Sequence, residues 1–172
     1  MAVLQAIGFE MGDLSESSTN SGVVSADATT KRSGGYSLHL GPNAGAVSTG
    51  RVIGHSATGA QASFGLATAY VSIYYRFVAT PDINQNCMLF SDASNNDVIT
   101  LRHTTTNTFL LIGATNSSET GVLSADTWYR FDIKVVQNGT CELYLDGTLI
   151  GTCTGNNFVF DPNPVTLLAN LT

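Results

Sequence analysis

The stretch TWYRFDIKVVQNGTCELYLDGTLIG, Thr127–Gly151, decides the fold of this 172-residue chain. Apolar and polar residues alternate in Tyr129–Val136 and again in Cys141–Asp146. A period of two places one side of a strand on a core and the other side in water. Asn138-Gly139 and Asp146-Gly147 follow these segments, and both dipeptides tolerate the positive φ of tight hairpin turns. The stretch therefore predicts a three-stranded antiparallel meander.

The second turn also sets the relation between two cysteines. If its loop spans Asp146–Thr148, Leu145 pairs with Leu149. Cys141 then faces Cys153 on the inner side of the sheet, whereas a two-residue loop shifts the register by one. The chain has three cysteines, an odd number without zinc-ligand spacing. We predict reduced, buried thiols, because cytosolic thiols stay reduced; a disulfide is the alternative.

The rest of the chain shows the same kind of pattern. Tyr70–Val78 is the strongest strand outside the meander, and Val165–Leu171 is a last strand. The chain holds about a dozen short segments with turn residues every 8–12 positions and no convincing helix, a spacing typical of a sandwich. Its length favours one domain. The prediction is a single all-β domain over residues 1–172, a two-sheet antiparallel β-sandwich of the jelly-roll kind.

Composition and charge exclude some functions. Charged residues make up 12% of the chain and the net charge is −6. Lys31-Arg32 is the only adjacent basic pair, so a nucleic-acid surface is not expected. No apolar run is long enough to span a membrane. The N-terminal segment lacks the pattern of a secretory signal. We expect assembly in the cytoplasm, with a removed leader as the alternative.

Three stretches resemble the concanavalin A-like lectin/glucanase superfamily, and laminin G-like jelly rolls in particular. They are GFEMGDL (Gly8–Leu14), SGGYSLHL (Ser33–Leu40) and DTWYRFDIKV with CELYLDGTLIG (within Asp126–Gly151). The resemblance covers nearly the whole chain and implies a concanavalin A-like jelly roll. This fold is shared by lectins, glycan hydrolases, adhesion modules and viral structural proteins, so it does not fix the function.

The resemblance raises the question of catalysis. Glycoside hydrolysis needs two carboxyl groups about 5–10 Å apart. The glucanases of the superfamily carry them as alternating acids on one strand, and the nearest match here is Glu142, Tyr144 and Asp146. A tyrosine takes the middle place and the turn explains Asp146. We therefore predict no catalytic residues and no enzymatic activity, with a glycan hydrolase as a remote alternative.

One predicted strand face has the residues of a binding surface. Tyr70, Tyr74 and Arg76 share the side of Tyr70–Val78 that does not face the predicted core. Exposed aromatic rings beside a polar group are typical of sugar-binding sites, so these three residues are predicted to contact a glycan or a partner protein. The alternative is burial against another sheet or another subunit.

One loop has the residues of a cation site. Many laminin G-like and lectin domains use calcium, and calcium needs several converging oxygen ligands. Asp92, Asn95, Asn96 and Asp97 supply such ligands within six residues. The alternative is a plain hairpin turn, which prefers the same residue types. Apart from this calcium ion, no cofactor is expected.

Jelly rolls of this type also resemble head-decoration and tail-tip modules of bacteriophages. The sequence also shows neither an export signal nor a set of catalytic residues. Together with this resemblance, these observations predict a non-enzymatic virion protein, either a capsid decoration (cement) protein or a tail-associated one. Its expected partners are virion proteins such as the major capsid protein, and it would form a homo-oligomer such as a trimer. Met1–Ile7 and Val165–Leu171 are candidate docking strands. The competing hypothesis is a carbohydrate-binding module or lectin.

Overall fold

The regular elements of the chain are β-strands. The structure, a computed structural model, describes residues 19–21, 24–40, 48–52, 68–91, 97–136, 139–155 and 163–169. The strands are β1 (Thr19–Ser21), β2 (Val24–Asp27), β3 (Ser37–Leu40), β4 (Ser48–Val52), β5 (Thr68–Tyr75), β6 (Gln85–Ser91), β7 (Asp97–His103), β8 (Phe109–Ile112), β9 (Tyr129–Val136), β10 (Thr140–Leu145), β11 (Thr148–Thr154) and β12 (Asn163–Ala169). These ranges contain no helix with the length and apolar character needed to cross a membrane.

The strands form two main sheets and one separate hairpin-like pair. The larger sheet has the order β1-β4-β12-β6-β7-β8, and the smaller has the order β11-β10-β9-β5. All paired neighbours are antiparallel, including the separate pair β2-β3. The predicted all-β sandwich is confirmed. Strands distant in sequence become neighbours: β5 pairs with β9, and β12 lies between β4 and β6.

The predicted meander is confirmed as β9-β10-β11, and its second turn has the shorter of the two loops that the sequence left open. Leu145 pairs with Thr148, so the loop has two residues instead of three. These residues, Asp146 and Gly147, have φ of 49° and 85°. Positive φ at both positions is the geometry of the tight turn whose twist matches the flanking strands.

A bulge then restores the register between the two cysteines. Tyr144 pairs with Leu149 and Leu143 pairs with Gly151, so Ile150 is the extra residue. Cys141 therefore faces Cys153 in spite of the short loop. Both are free, buried thiols, as is Cys87. A hydrogen bond from Cys153 lowers the pKa of Cys141 to about 7.

The core fills the space between the two main sheets, and Phe109 on β8 lies at its centre. The Phe109 ring stacks on His103 with centroids 4.3 Å apart and contacts Phe131 at 4.9 Å. His103 is buried, and this burial lowers the pKa of its imidazole. The smaller sheet supplies a row of inward side chains: Phe131, Ile133, Val135, Cys141, Leu143 and Cys153. Their strand neighbours therefore point away from the core.

The chain's last described strand does not serve as the predicted docking edge. β12, which includes most of Val165–Leu171, pairs with β4 on one side and with β6 on the other. A strand paired on both edges has no free backbone groups to recruit another chain. Strand addition is therefore not expected at the paired part of this stretch, and positions 170 and 171 lie outside the described residues. The other candidate, Met1–Ile7, lies outside the described residues.

Candidate functional site

Polar and aromatic side chains cover the side of the smaller sheet that faces away from the core. The register puts Tyr70, Lys134 and Glu142 in one row across β5, β9 and β10, and Ser72, Asp132 and Tyr144 in the next. Tyr74 lies opposite Arg130 in a third row. We call this set the outer face; its members are Tyr70, Ser72, Tyr74, Arg130, Asp132, Lys134, Glu142 and Tyr144. The alternation of β9 and β10 is what assembles it.

One half of the outer face is a lysine–carboxylate–tyrosine chain. Lys134 Nζ lies 2.6 Å from Glu142 Oε1, and the Tyr144 hydroxyl donates to Glu142 Oε2 at 2.5 Å. The hydrogen bond from Lys134, and to a smaller extent that from Tyr144, holds the pKa of Glu142 below its usual value. The carboxylate in turn raises the pKa of Lys134 and that of Tyr144. At neutral pH this hydrogen-bonded group therefore contains the charged Lys134 ammonium and the protonated Tyr144 phenol.

The other half of the outer face is organised around Asp132. Its carboxylate accepts hydrogen bonds from the Ser72 hydroxyl and, at 2.9 Å, from Arg130 Nε. Arg130 also interacts with the Tyr74 hydroxyl, and this contact, with that of Asp132, raises the pKa of Arg130. A guanidinium group only donates hydrogen bonds, so the Tyr74 oxygen is the acceptor. These contacts restrict the orientation of the side chains.

Two tyrosine rings stay accessible beside these networks. Tyr70 is 57% exposed and Tyr74 is 42% exposed. Rings of this kind present an apolar surface together with a polar hydroxyl. The Arg32 guanidinium, from the segment between β2 and β3, lies 3.6 Å from the centroid of the Tyr74 ring. The outer face therefore offers stacking surfaces and hydrogen-bonding groups to one ligand.

Two of the three residues that were predicted to share this surface belong to the outer face, and the third, Arg76, directly follows the end of β5. The two are Tyr70 and Tyr74, and β5 ends at Tyr75. The Arg76 guanidinium contacts the Asp126 carboxylate at 2.6 Å. Arg76 is thus engaged beyond the end of the strand, and the cation opposite Tyr74 is Arg130.

The predicted calcium loop lies largely outside the described residues. Asp92, Asn95 and Asn96 are not described, and Asp97 is the first residue of β7. Calcium binding at this loop stays a prediction. In the part of the chain that is described, no group of three or more His, Cys, Asp or Glu residues is arranged to hold a metal ion.

Sequence reasoning found the tyrosines but missed the residues that surround them. Arg130, Asp132 and Lys134 were recognised as the polar side of a strand without a functional role. The missing information was the pairing of β5 with β9, since about sixty positions separate partners such as Ser72 and Asp132. Alternation identifies the outward residues of each strand but does not say which strands are adjacent.

Comparisons with known proteins find the same fold in solved structures. No family model matches the sequence, and no curated protein matches it. The endo-β-1,4-glucuronan lyase from the fungus Trichoderma reesei superposes with a TM-score of 0.61 at 11% identity, covering 93% of this chain and 81% of that one. The chain shares its β-sandwich fold. The cellulose-induced protein Cip1 matches with a TM-score of 0.56 at 14% identity, over 89% of this chain and 80% of that chain.

These neighbours contradict two predictions made from the sequence. Two structures that share the fold over most of the chain are a polysaccharide lyase and a cellulose-induced protein. The prediction of a capsid decoration or tail-associated virion protein is therefore wrong. The prediction that the protein is not an enzyme is contradicted by the same comparison, since the first of these neighbours is an enzyme. Paired carboxyl groups are the requirement of glycoside hydrolysis, which is only one kind of glycan cleavage.

Proposed function

We propose that the protein binds a polysaccharide chain along the outer face. The observation that carries this proposal is the pair of accessible rings, Tyr70 and Tyr74, bordered by hydrogen-bonded charged groups. The two rings are four residues apart on one strand, about 13 Å at the usual rise per residue. That separation lets them contact more than one sugar unit of a chain. The shared fold with a glucuronan lyase and Cip1 supports a carbohydrate ligand.

The charged groups suit sugar recognition because their positions are already fixed. Arg130 is held by Asp132 and Lys134 by Glu142, at 2.9 and 2.6 Å. A ligand hydroxyl can donate to a carboxylate oxygen or accept from the cation without a large rearrangement, which reduces the ordering cost of binding. The tyrosine rings supply the apolar contact that such a site needs beside its polar groups.

Binding to soluble β-1,4-linked oligosaccharides, measured by calorimetry, tests this proposal. We expect Tyr70→Ala and Tyr74→Ala each to weaken binding about tenfold, equivalent to ~1.4 kcal/mol. Val122→Ala removes an exposed apolar side chain that lies outside the outer face and serves as the control. Unchanged affinity in the double variant Tyr70→Ala/Tyr74→Ala would contradict the proposal.

A second function, cleavage of a uronate-containing polysaccharide by β-elimination, is favoured by the Lys134–Glu142–Tyr144 chain. In this reaction a base removes the proton at C5 of the uronate, the electron pair forms the C4=C5 double bond, and the C4–O4 bond breaks. Lys134 would face the uronate carboxylate, whose negative charge grows as the proton leaves. Tyr144, held protonated by Glu142, would give its proton to the departing O4.

The remaining role in this reaction is that of the base, and Tyr70 is the candidate: in its phenolate form it would accept the C5 proton and become the neutral phenol. Tyr70 lies directly opposite Lys134 in one row across β5 and β9, which puts it beside the Lys134–Glu142–Tyr144 chain. The ultraviolet absorbance of the unsaturated product follows the reaction. We expect Tyr144→Phe and Tyr70→Phe to remove cleavage and keep binding. Tyr129→Phe is the control: it removes a hydroxyl that accepts a hydrogen bond from the Ser124 N–H, and it should leave cleavage unchanged. Binding without any absorbance change in the unmodified protein would reduce the function to recognition alone.

A further inference from the structure

The segment between β2 and β3 holds Arg32 over the outer face. Asp27 Oδ1 accepts hydrogen bonds from the backbone N–H groups of Thr29 and Thr30, at 2.7 and 3.2 Å. The Ser37 hydroxyl donates to the carbonyl of Thr30 at 2.5 Å, which ties the two ends of the segment together. These contacts fix the backbone on both sides of Arg32. Its side chain can change rotamer while its starting point stays in place.

Arg32 differs from the other cations near the outer face. Arg130 and Lys134 each contact a carboxylate within the face. Among the residues that the structure describes, the partner of the Arg32 guanidinium is the Tyr74 ring. The fixed charges of the face thus cancel in pairs, and Arg32 adds a positive charge that no described carboxylate neutralises.

We propose that Arg32 determines specificity for acidic glycans, covering the Tyr74 ring in the free protein and turning to pair with a sugar carboxylate on binding. This inference rests on the proposed function, since it assigns the substrate class of the same face. A sugar that stacks on the face of the Tyr74 ring that Arg32 covers must displace the guanidinium. A neutral sugar gives Arg32 nothing in exchange for the ring, whereas a carboxylate offers a charge-assisted and often bidentate hydrogen bond.

A matched pair of ligands tests the inference. The ligands are a β-1,4-linked glucuronate oligosaccharide and the same oligosaccharide with its carboxyl groups reduced, which is a neutral β-1,4-glucan. We expect the unmodified protein to prefer the acidic ligand. Arg32→Gln should weaken acidic binding about tenfold, the loss of one strong charge-assisted contact. It should leave neutral binding unchanged or slightly stronger, because the ring is then uncovered.

Lys31→Gln is the matched control, because it removes the same charge from the neighbouring residue. Its ammonium group contacts the carbonyl of Gly35 at 3.2 Å and not the ring. A preference for the acidic ligand that falls in Arg32→Gln but not in Lys31→Gln supports the inference, and partial recovery in Arg32→Lys supports it further. An unchanged preference in Arg32→Gln overturns it while the proposed function stands. If the unmodified protein binds neither ligand, both proposals are overturned.

Discussion

Gly151 on β11 provides a strict test of how the edge of the sandwich is packed. A Cβ atom placed on Gly151 would lie 2.7 Å from the backbone nitrogen of Ser118 and 3.1 Å from the Ser118 Cβ. The obstacle is backbone, which cannot rotate away as the end of a flexible side chain can. The neighbouring Ser117 N–H donates to the carbonyl of Leu111 at 2.9 Å, and the Thr120 N–H donates to that of Phe109 at 2.9 Å. Moving the 116–120 segment would therefore strain the hydrogen bonds that attach it to β8.

We expect Gly151→Ala to destabilise the protein by about 2 kcal/mol, within the range for overpacking a well-packed site. For a chain of this length that corresponds to a fall in Tm of roughly 4–8 °C. Urea unfolding followed by circular dichroism measures the free energy directly. Gly121→Ala is the control: a Cβ there meets nothing within 4 Å, and its φ is not positive. We expect this control to be neutral or up to about 1 kcal/mol more stable. Equal stabilities of the two variants would refute the close packing of the 116–120 segment on β11.

Three further predictions follow from the core and the outer face. Phe109→Ala should cost about 3–5 kcal/mol in urea unfolding, because the ring is fully buried between the sheets; a loss below 1 kcal/mol would contradict its central position. Glu142→Gln should be less stable than the unmodified protein at neutral pH. Folding lowers the pKa of Glu142 below its ordinary value of 4.5, so the ionised carboxylate stabilises the folded protein above pH 4.5. This stabilisation is lost as the pH falls through the lowered pKa. The difference in stability between Glu142→Gln and the unmodified protein should therefore disappear in acid. A difference that persists in acid would contradict this assignment. Thiol titration of the unfolded protein should give three thiols, and one thiol would show that Cys141 and Cys153 form a disulfide.

The fold was predictable because its signals are local. Alternation within Tyr129–Val136 identified the inward residues of β9, and the Asp146-Gly147 dipeptide identified the turn. The register after that turn was not predictable from the loop alone. Its two residues displace the pairing by one position, and the bulge at Ile150 displaces it back. Such compensation depends on packing around β11, which no short stretch of sequence encodes.

The candidate site was only partly predictable because it is assembled from strands that are distant in sequence. Tyr70 and Tyr74 were identifiable as outward aromatic residues of β5. Their neighbours Arg130 and Lys134 are about sixty positions away and meet them only through the β5–β9 pairing. Arg32 comes from outside the sheet altogether. The functional prediction failed for a different reason: the superfamily resemblance identifies the architecture, and the architecture supports many functions.

Nuclear magnetic resonance mapping of a bound oligosaccharide tests the central claim most directly. Adding a β-1,4-linked glucuronate oligosaccharide to isotopically labelled protein should shift backbone amide signals of β5, β9 and β10, with the largest changes near Tyr70, Tyr74 and Lys134. The amides of β6, β7 and β8, on the other sheet, should change little. Shifts concentrated on β6, β7 and β8, or no shifts at millimolar ligand, would contradict a carbohydrate site on the outer face.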